Sequence, residues 1–316
     1  MQRIVITGGA GFLGVPTALA LRAMGHEVTV LDAKGDPRLA DAGITTRVGS
    51  ILDGAFVREI LAEARPDIII HAAAVVGVAA SLGGVARSVE VNVLGSVTVF
   101  EAACELGLSR FVDISSEETY GDFAEEPIGE DAPALPKSPY GITKFTVERL
   151  GAFYAEHRGL PYVAVRFCWV YGPDFPRARV PQQWIEDALA GRSSVEPHGA
   201  EQRIDFTYVD DAVAGLLAIV SAEHLEHRAY NIATGVAHPL ERVAEAVRLE
   251  FPGWSLQIGD GLVEMAPGVR AARKGAMSID RAAELGYRPT VDLDEGIRRT
   301  IESCRTSAAA HERNRS

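Results

Sequence analysis

The sequence predicts an α/β protein built on a doubly wound parallel sheet, with a small discontinuous C-terminal domain attached. Three observations carry this prediction. Short β-branched apolar runs alternate with helical patterns from the first residues to Phe167. Those runs are apolar throughout, as strands covered on both faces are, rather than alternating apolar with polar. The alternation then fails after Tyr171, in the Gly/Pro/Arg stretch GPDFPRARVP, where the chain is expected to leave the sheet.

Taken in order, Ile4 to Thr7 reads as a strand, Leu13 to Met24 as a helix and Val28 to Asp32 as a second strand. A helix at Ala55 to Glu63 precedes the strand Ile68 to His71. A helix at Val93 to Leu106 leads to the strand Arg110 to Ser115, and a helix at Thr143 to His157 to the strand Tyr162 to Phe167. Beyond the break, a helix at Gln182 to Ala190 precedes the segment Arg203 to Val209, another helix begins at Asp210, and Tyr230 to Ala233 returns as a last strand. Leu240 to Glu250 and Leu293 to Cys304 are the two C-terminal helices. This divides the chain into one domain of residues 1–172 with 204–236, a second of 173–203 with 237–305, and a flexible tail at 306–316.

Composition narrows the partners. The chain has 316 residues, 47% hydrophobic and 23% charged, which suits a folded globular protein. Its 31 basic and 43 acidic residues give a net charge of −12, which repels a phosphate backbone, so nucleic acid is not an expected partner. Cys104, Cys168 and Cys304 form no disulfide framework, and no Cys/His spacing suggests a metal. Cys168 reads as a packing residue. The N-terminus lacks a signal-peptide pattern, so a cytoplasmic location is expected. Ile68 to Ala86 is the most membrane-like stretch, but His71, Ser81, Gly77, Gly83 and Gly84 make it strand plus loop.

Thr7-Gly8-Gly9-Ala10-Gly11-Phe12-Leu13-Gly14 sets three glycines three apart between the first strand and the first helix. Such a turn lets backbone approach a pyrophosphate, which the unpaired amides of the helix N-terminus then bind. Asp32 ends the next strand, where a carboxylate accepts the ribose hydroxyls of NAD and repels the 2′-phosphate of NADP. A Rossmann fold binding NAD is therefore expected. Asp53 is either a residue near the adenine or the N-cap of the following helix.

Together with HAAA at 71–74, NVLG at 92–95, SSEETYG at 115–121, YGITK at 140–144, VYGP at 170–173, DFTYVDDA at 205–212, YNIATG at 230–235 and LGYRP at 285–289, this loop resembles the extended short-chain dehydrogenase/reductase family. The branch resembled is that of NAD-dependent sugar-nucleotide epimerases and dehydratases. The resemblance implies cofactor contacts from Gly8, Gly11, Phe12, Leu13, Gly14, Asp32, Ile51, Ala72, Ala73, Ala74, Asn92, Tyr140 and Lys144. It also implies a homodimer paired through the helices at 93–106 and 143–157, and a substrate-binding role for the second domain.

Tyr140 and Lys144 lie four apart at a helix start, so they share a face. A phenol ordinarily titrates at about 10, and an ammonium one turn away favours the phenolate, making Tyr140 a candidate proton acceptor. Of the basic residues only Lys34, Lys137, Lys144 and Lys274 are lysines, so a lysine at this position stands out. Ser116, at the C-terminal end of its strand, is placed to hold the substrate oxygen. By resemblance, Ser116, Tyr140 and Lys144 occupy catalytic positions, and Glu117 and Glu118 stand where dehydratases carry an acid–base pair. Glu118 is the stronger candidate for removing a proton beside a transient ketone.

Two positions depart from the branch's pattern. Trp169 stands where an asparagine usually precedes VYGP, and Ile204 where an arginine usually precedes DFTYV. Arg177, Arg179, Arg203 and Arg270 remain as candidate ligands of a diphosphate or carboxylate. Two reactions follow: epimerisation or dehydration of a nucleotide sugar through a transient ketone, or oxidation of a free sugar, polyol or sugar acid with release of NADH.

Overall fold

In the strand β1 (Arg3–Thr7), Ile4 and Ile6 face one core while Val5 faces another, and all three are buried. Ile69 joins Val5 on its side of the sheet, and Ile68 and Ile70 join Ile4 and Ile6 on the other, which is the period-two placement of a strand covered on both faces. Full burial of each such side chain stabilises the fold by about 1.5–3 kcal/mol. This is why these strands read as unbroken apolar runs.

The computed structural model describes residues 1–313, with side chains described through Thr306. After β1 come α1 (Gly14–Ala23), β2 (Glu27–Asp32), α2 (Pro37–Asp41), β3 (Thr45–Val48), α3 (Gly54–Ala64) and β4 (Ile68–His71). Next are α4 (Val78–Gly83), α5 (Val85–Val89), a π-helical turn at Glu90–Leu94, α6 (Gly95–Ala103), β5 (Arg110–Ser116), α7 (Pro139–Arg158), β6 (Tyr162–Phe167) and β7 (Trp169–Tyr171). The remainder includes α8 (Gln182–Leu189), β8 (Ser194–Glu196), β9 (Arg203–Tyr208), α9 (Val209–Ser221), β10 (Ala229–Ile232), β11 (Ala237–Pro239), α10 (Leu240–Glu250), α11 (Asp280–Glu284) and α12 (Leu293–Arg313).

Seven strands form one sheet in the order β10-β6-β5-β4-β1-β2-β3, and every neighbouring pair is parallel. The strand order reverses between β1 and β4, which opens a crevice at their carboxyl ends where ligands of such sheets bind. On one face α1 and α9 cover the sheet through Leu21, Leu216 and Ile219; on the other α3, α6 and α7 do so through Leu61, Phe100 and Val147. Beneath the crevice, Arg166 of β6 forms a buried bidentate pair with Glu148 of α7 and donates to the Tyr120 hydroxyl. These bonds satisfy charges that would otherwise be costly to bury.

A separate apolar core joins segments on both sides of β10. Trp184 and Ile185 of α8, Ile204 and Phe206 of β9, Val243 and Val247 of α10, and Ile297 and Ile301 of α12 pack together. The small sheet β11-β9-β7 lies against this core.

Some elements differ from the sequence reading. β3 was not foreseen, because TTRV is polar and half-exposed at the sheet edge. α4 and α5 replace the expected loop, as Gly77 and Gly84 serve as N-terminal boundaries of short helices and do not abolish them. α12 continues past Cys304 to Arg313, so part of the expected tail is helical; residues 314–316 lie outside the described residues. No helix among the described residues is long and apolar enough to cross a membrane.

Candidate active site

A cleft of about 570 Å³ opens at the carboxyl ends of β1, β2, β4 and β5. One end is backbone. Gly8 has φ +71°, and a Cβ there would stand 2.5 Å from Ala73 N; a Cβ on Gly14 would stand 2.5 Å from Gly8 O. Only glycine permits so close a turn, and the turn delivers the N-terminus of α1 to the cleft with no side chain capping it. Free amides at a helix N-terminus are the chemistry that receives a pyrophosphate. Gly8, Gly11, Phe12, Leu13, Gly14, Asp32, Ile51, Ala72, Ala73 and Ala74 all line this part of the cleft. The Asp32 carboxylate is fixed there by accepting from Ala10 N at 2.9 Å and Lys34 N at 3.2 Å.

Neither Asp53 nor Asn92 lines the cleft. Asp53 caps α3 by accepting from Ala55 N and Phe56 N, so the N-cap alternative is the one realised. Asn92 is buried in the π-helical turn and does not line the cleft. Its amide brackets Val75 by accepting from the Val75 N–H and donating to its carbonyl, and it also donates to Thr143 Oγ1. Thr143 in turn donates to the Tyr140 carbonyl, so Asn92 ties the cleft loop to α7.

The other end of the cleft holds the polar groups. Ser138 caps α7 by accepting from Gly141 N at 3.1 Å, and Pro139 occupies the first helical position, where its missing N–H costs nothing. Tyr140 and Lys144 therefore enter the cleft from the first turns of α7, beside Ser116 at the end of β5. Burial pushes the Tyr140 phenol up to about 12; Arg177 and the nearby Ser116 hydroxyl act in the opposite direction. The Lys144 ammonium donates to the Ile114 carbonyl at 2.6 Å, Asp113 is the largest favourable charge on it, and burial lowers its own pKa.

Glu117 and Glu118 both line the cleft. Glu117 is buried, which raises its pKa, and it accepts from the Cys168 thiol at 3.0 Å. Cys168 is itself buried and pushed well up by that burial, so it is a packing and hydrogen-bonding residue. Glu118 accepts from Ser138 Oγ at 3.2 Å and lies 3.4 Å from the ammonium of Lys274. Lys274 was missed in the sequence reading, although the scarcity of lysine that drew attention to Lys144 applies equally to it. Lys144 and Lys274, two of the four lysines, converge on this end of the cleft.

Of the four candidate arginines, the fold brings two into the cleft. Arg177 stacks on Phe175 with its guanidinium carbon 4.9 Å from the ring centre and donates to the Val76 carbonyl. Arg179 lies 3.3 Å over Trp169, and burial together with Arg177 lowers its pKa to about 10. Neither makes an ion pair with a carboxylate among the described residues. Both also line an adjoining cavity of about 380 Å³, walled by Val180, Ile204, Leu240 and Val263 with Glu196 and Glu264. Arg203 and Arg270 are not brought there. Arg203 pairs with Glu126 at the surface, and Arg270 with Glu264 beside the half-buried His198.

The chain is similar to known proteins over most of its length. Residues 4–233 match the NAD dependent epimerase/dehydratase family. The chain is 31% identical to the dTDP-glucose 4,6-dehydratase of Streptomyces antibioticus over 98% of its own length and 94% of that protein's. Its fold matches the UDP-glucose 4-epimerase of Thermotoga maritima, solved with UDP-glucose, at a TM-score of 0.88 and 29% identity, covering 96% and 99% of the two chains. The Thermus thermophilus UDP-glucose 4-epimerase, solved with NAD, gives 0.84 and 30%, with the same coverage.

Proposed function

The chain belongs to the NAD-dependent epimerase/dehydratase family, and from that premise we propose that it epimerises or dehydrates a nucleotide sugar through a transient ketone. The observation that carries this is the placement of Tyr140, Ser116 and two carboxyls between a glycine-built cofactor cradle and a pair of arginines that make no ion pair among the described residues. Gly8, Gly11 and Gly14 would hold the NAD pyrophosphate, and Asp32 the ribose hydroxyls. Bound there, NAD supplies a hydride acceptor that gives its hydride back within each turnover.

The chain's own residues handle the protons. Tyr140 takes the proton of the sugar hydroxyl as that carbon is oxidised, while Ser116 holds the same oxygen. The Lys144 ammonium one turn along α7, with Asp113 as its largest favourable charge, favours the Tyr140 phenolate that this step needs. Glu118 takes or returns the proton on the carbon next to the ketone, and Glu117, kept closer to neutral by burial, is the paired acid. Arg177 and Arg179 receive the diphosphate bidentately at the junction of the two cavities, and the apolar second cavity takes the nucleoside.

Residues 1–172 with 204–236 then form the cofactor domain, and 173–203 with 237–305 the substrate domain. β9 contributes Ile204 and Phe206 to the second core and so joins the two. A homodimer in the cytoplasm completes the proposal. Val89, Leu94, Ile142 and Phe153, on and beside the helices α5 to α7, leave apolar side chains exposed for such pairing.

One observation favours a second reading, oxidation of a free sugar acid. The Trp169 indole N–H is already spent on the Val180 carbonyl, and Ile204 is buried, so neither offers a diphosphate a polar contact. In that reading the arginine pair holds a carboxylate. Incubation with UDP-, GDP- and dTDP-sugars and with sugar acids, followed by NMR of the products, separates the two. Conversion of a nucleotide sugar is expected; conversion of a free acid alone would replace the first reading with the second.

A further inference from the structure

Lys274 stands directly behind the cleft carboxyls without lining the cleft. Its side chain is 3% exposed, and its ammonium lies 3.4 Å from Glu118 Oε1. It also donates to the carbonyls of Glu117 at 3.3 Å and Gly121 at 3.2 Å, and sits 5.1 Å from the centre of the Phe123 ring. The second Glu118 oxygen accepts from Ser138, the cap of the helix that presents Tyr140. Glu118 is thus held at both oxygens, by a cation from behind and a hydroxyl from the side.

The backbone that carries Lys274 is laced in place on both sides. Arg273 N donates to Asp122 Oδ1 at 2.9 Å, and Phe123 N donates back to the Arg273 carbonyl at 2.9 Å. Ala276 N donates to Glu126 Oε1 at 3.2 Å, and Ile128 N donates to the Ala276 carbonyl at 2.9 Å. Met277 N donates to the buried Asp205. An ammonium buried there requires an anion; its charge also favours ionised Glu117, but Glu118 is the carboxylate at ion-pair distance.

We propose that Lys274 is a positioning residue that holds Glu118 as a carboxylate turned into the cleft, so that Glu118 and not Glu117 accepts the proton from the carbon beside the ketone. The chemical half of this rests on the keto-intermediate reading above. In that step the C–H bond breaks, its electron pair enters the enolate, and the proton ends on a Glu118 oxygen; the reverse step returns it. The charged and titratable groups facing Glu118 are Lys274 behind it, Glu117 beside it, Tyr140 from α7 and Arg179 from the loop after β7. Of these, Lys274 is the cation at ion-pair distance.

The test compares Lys274→Met and Lys274→Arg with wild type, using Glu118→Gln to identify the Glu118 carboxylate band in infrared spectra. Without substrate, the Glu118 titration midpoint is expected to rise by at least about one pH unit in Lys274→Met and to return in Lys274→Arg. Lys274→Gln takes the same measurement if the methionine variant does not fold. With dTDP-glucose and UDP-glucose as probes, solvent deuterium entry at the carbon beside the ketone should fall at least about tenfold, while single-turnover reduction of NAD stays within a few-fold. A midpoint that does not move in a folded variant overturns the proposal. A midpoint that moves, with neither sugar nucleotide converted by the wild type, leaves the positioning role standing and removes the keto-intermediate reading instead.

Discussion

Tyr140→Phe removes one oxygen from the cleft and leaves the glycine turn untouched. Turnover of whichever sugar is converted should fall by at least about 10²-fold, with NAD affinity within a few-fold of wild type, as measured by steady-state kinetics and calorimetry. Near-normal turnover would remove Tyr140 from the chemistry. At the floor of the crevice, His71 is buried between Thr7 Oγ1 at 2.6 Å and Ser96 Oγ at 2.9 Å. Burial, with Lys144 adding to it, lowers its pKa from 6.5 to about 3. The unfolded chain therefore binds this proton first as pH falls, so the stability due to neutral His71 is complete above about 6.5 and is lost toward about 3. Between about pH 6.5 and 5 the loss is roughly 2 kcal/mol. Urea unfolding should show a shallower pH dependence in His71→Gln over that range, whatever its absolute stability; an unchanged slope would contradict this. At this scale the sequence disclosed the residues whose roles depend on local spacing, such as the glycine triplet, Asp32, and Tyr140 with Lys144. It did not disclose Lys274, whose part arises only when distant segments meet.

Among the elements, the turn before α1 is tightly constrained. A methyl group on Gly14 would meet Gly8 O at 2.5 Å, so the backbone must shift and the amides presented by α1 must move with it. Gly14→Ala should weaken NAD binding by at least about tenfold in a calorimetric titration, while Gly107→Ala, which meets nothing within 4 Å, should bind as wild type does. Equal affinities would show that the turn has room to spare. The strands of the sheet were legible because burial on both faces demands continuous apolar residues, as in Ile68 to Ile70. The edge strand β3 escaped notice because an edge imposes no such demand on Thr45, Thr46 and Arg47. Arg203 and Arg270 were equally eligible by residue type; only the fold, by pairing them with Glu126 and Glu264, separates them from Arg177 and Arg179.

For the whole molecule, the exposed Val89, Leu94, Ile142 and Phe153 predict self-association through α5 to α7. Light scattering should return about twice the chain's 33.8 kDa, and Ile142→Glu with Phe153→Glu should return the monomer. A wild-type monomer would assign that face another role. In the proposed reaction one cleft oxidises its substrate, acts on the ketone and reduces it again before release. Its most direct test is the absorbance of reduced nicotinamide, followed through many turnovers with a converted nucleotide sugar and substoichiometric enzyme. Product is expected to accumulate with no NADH appearing in solution. One NADH released per product would contradict it.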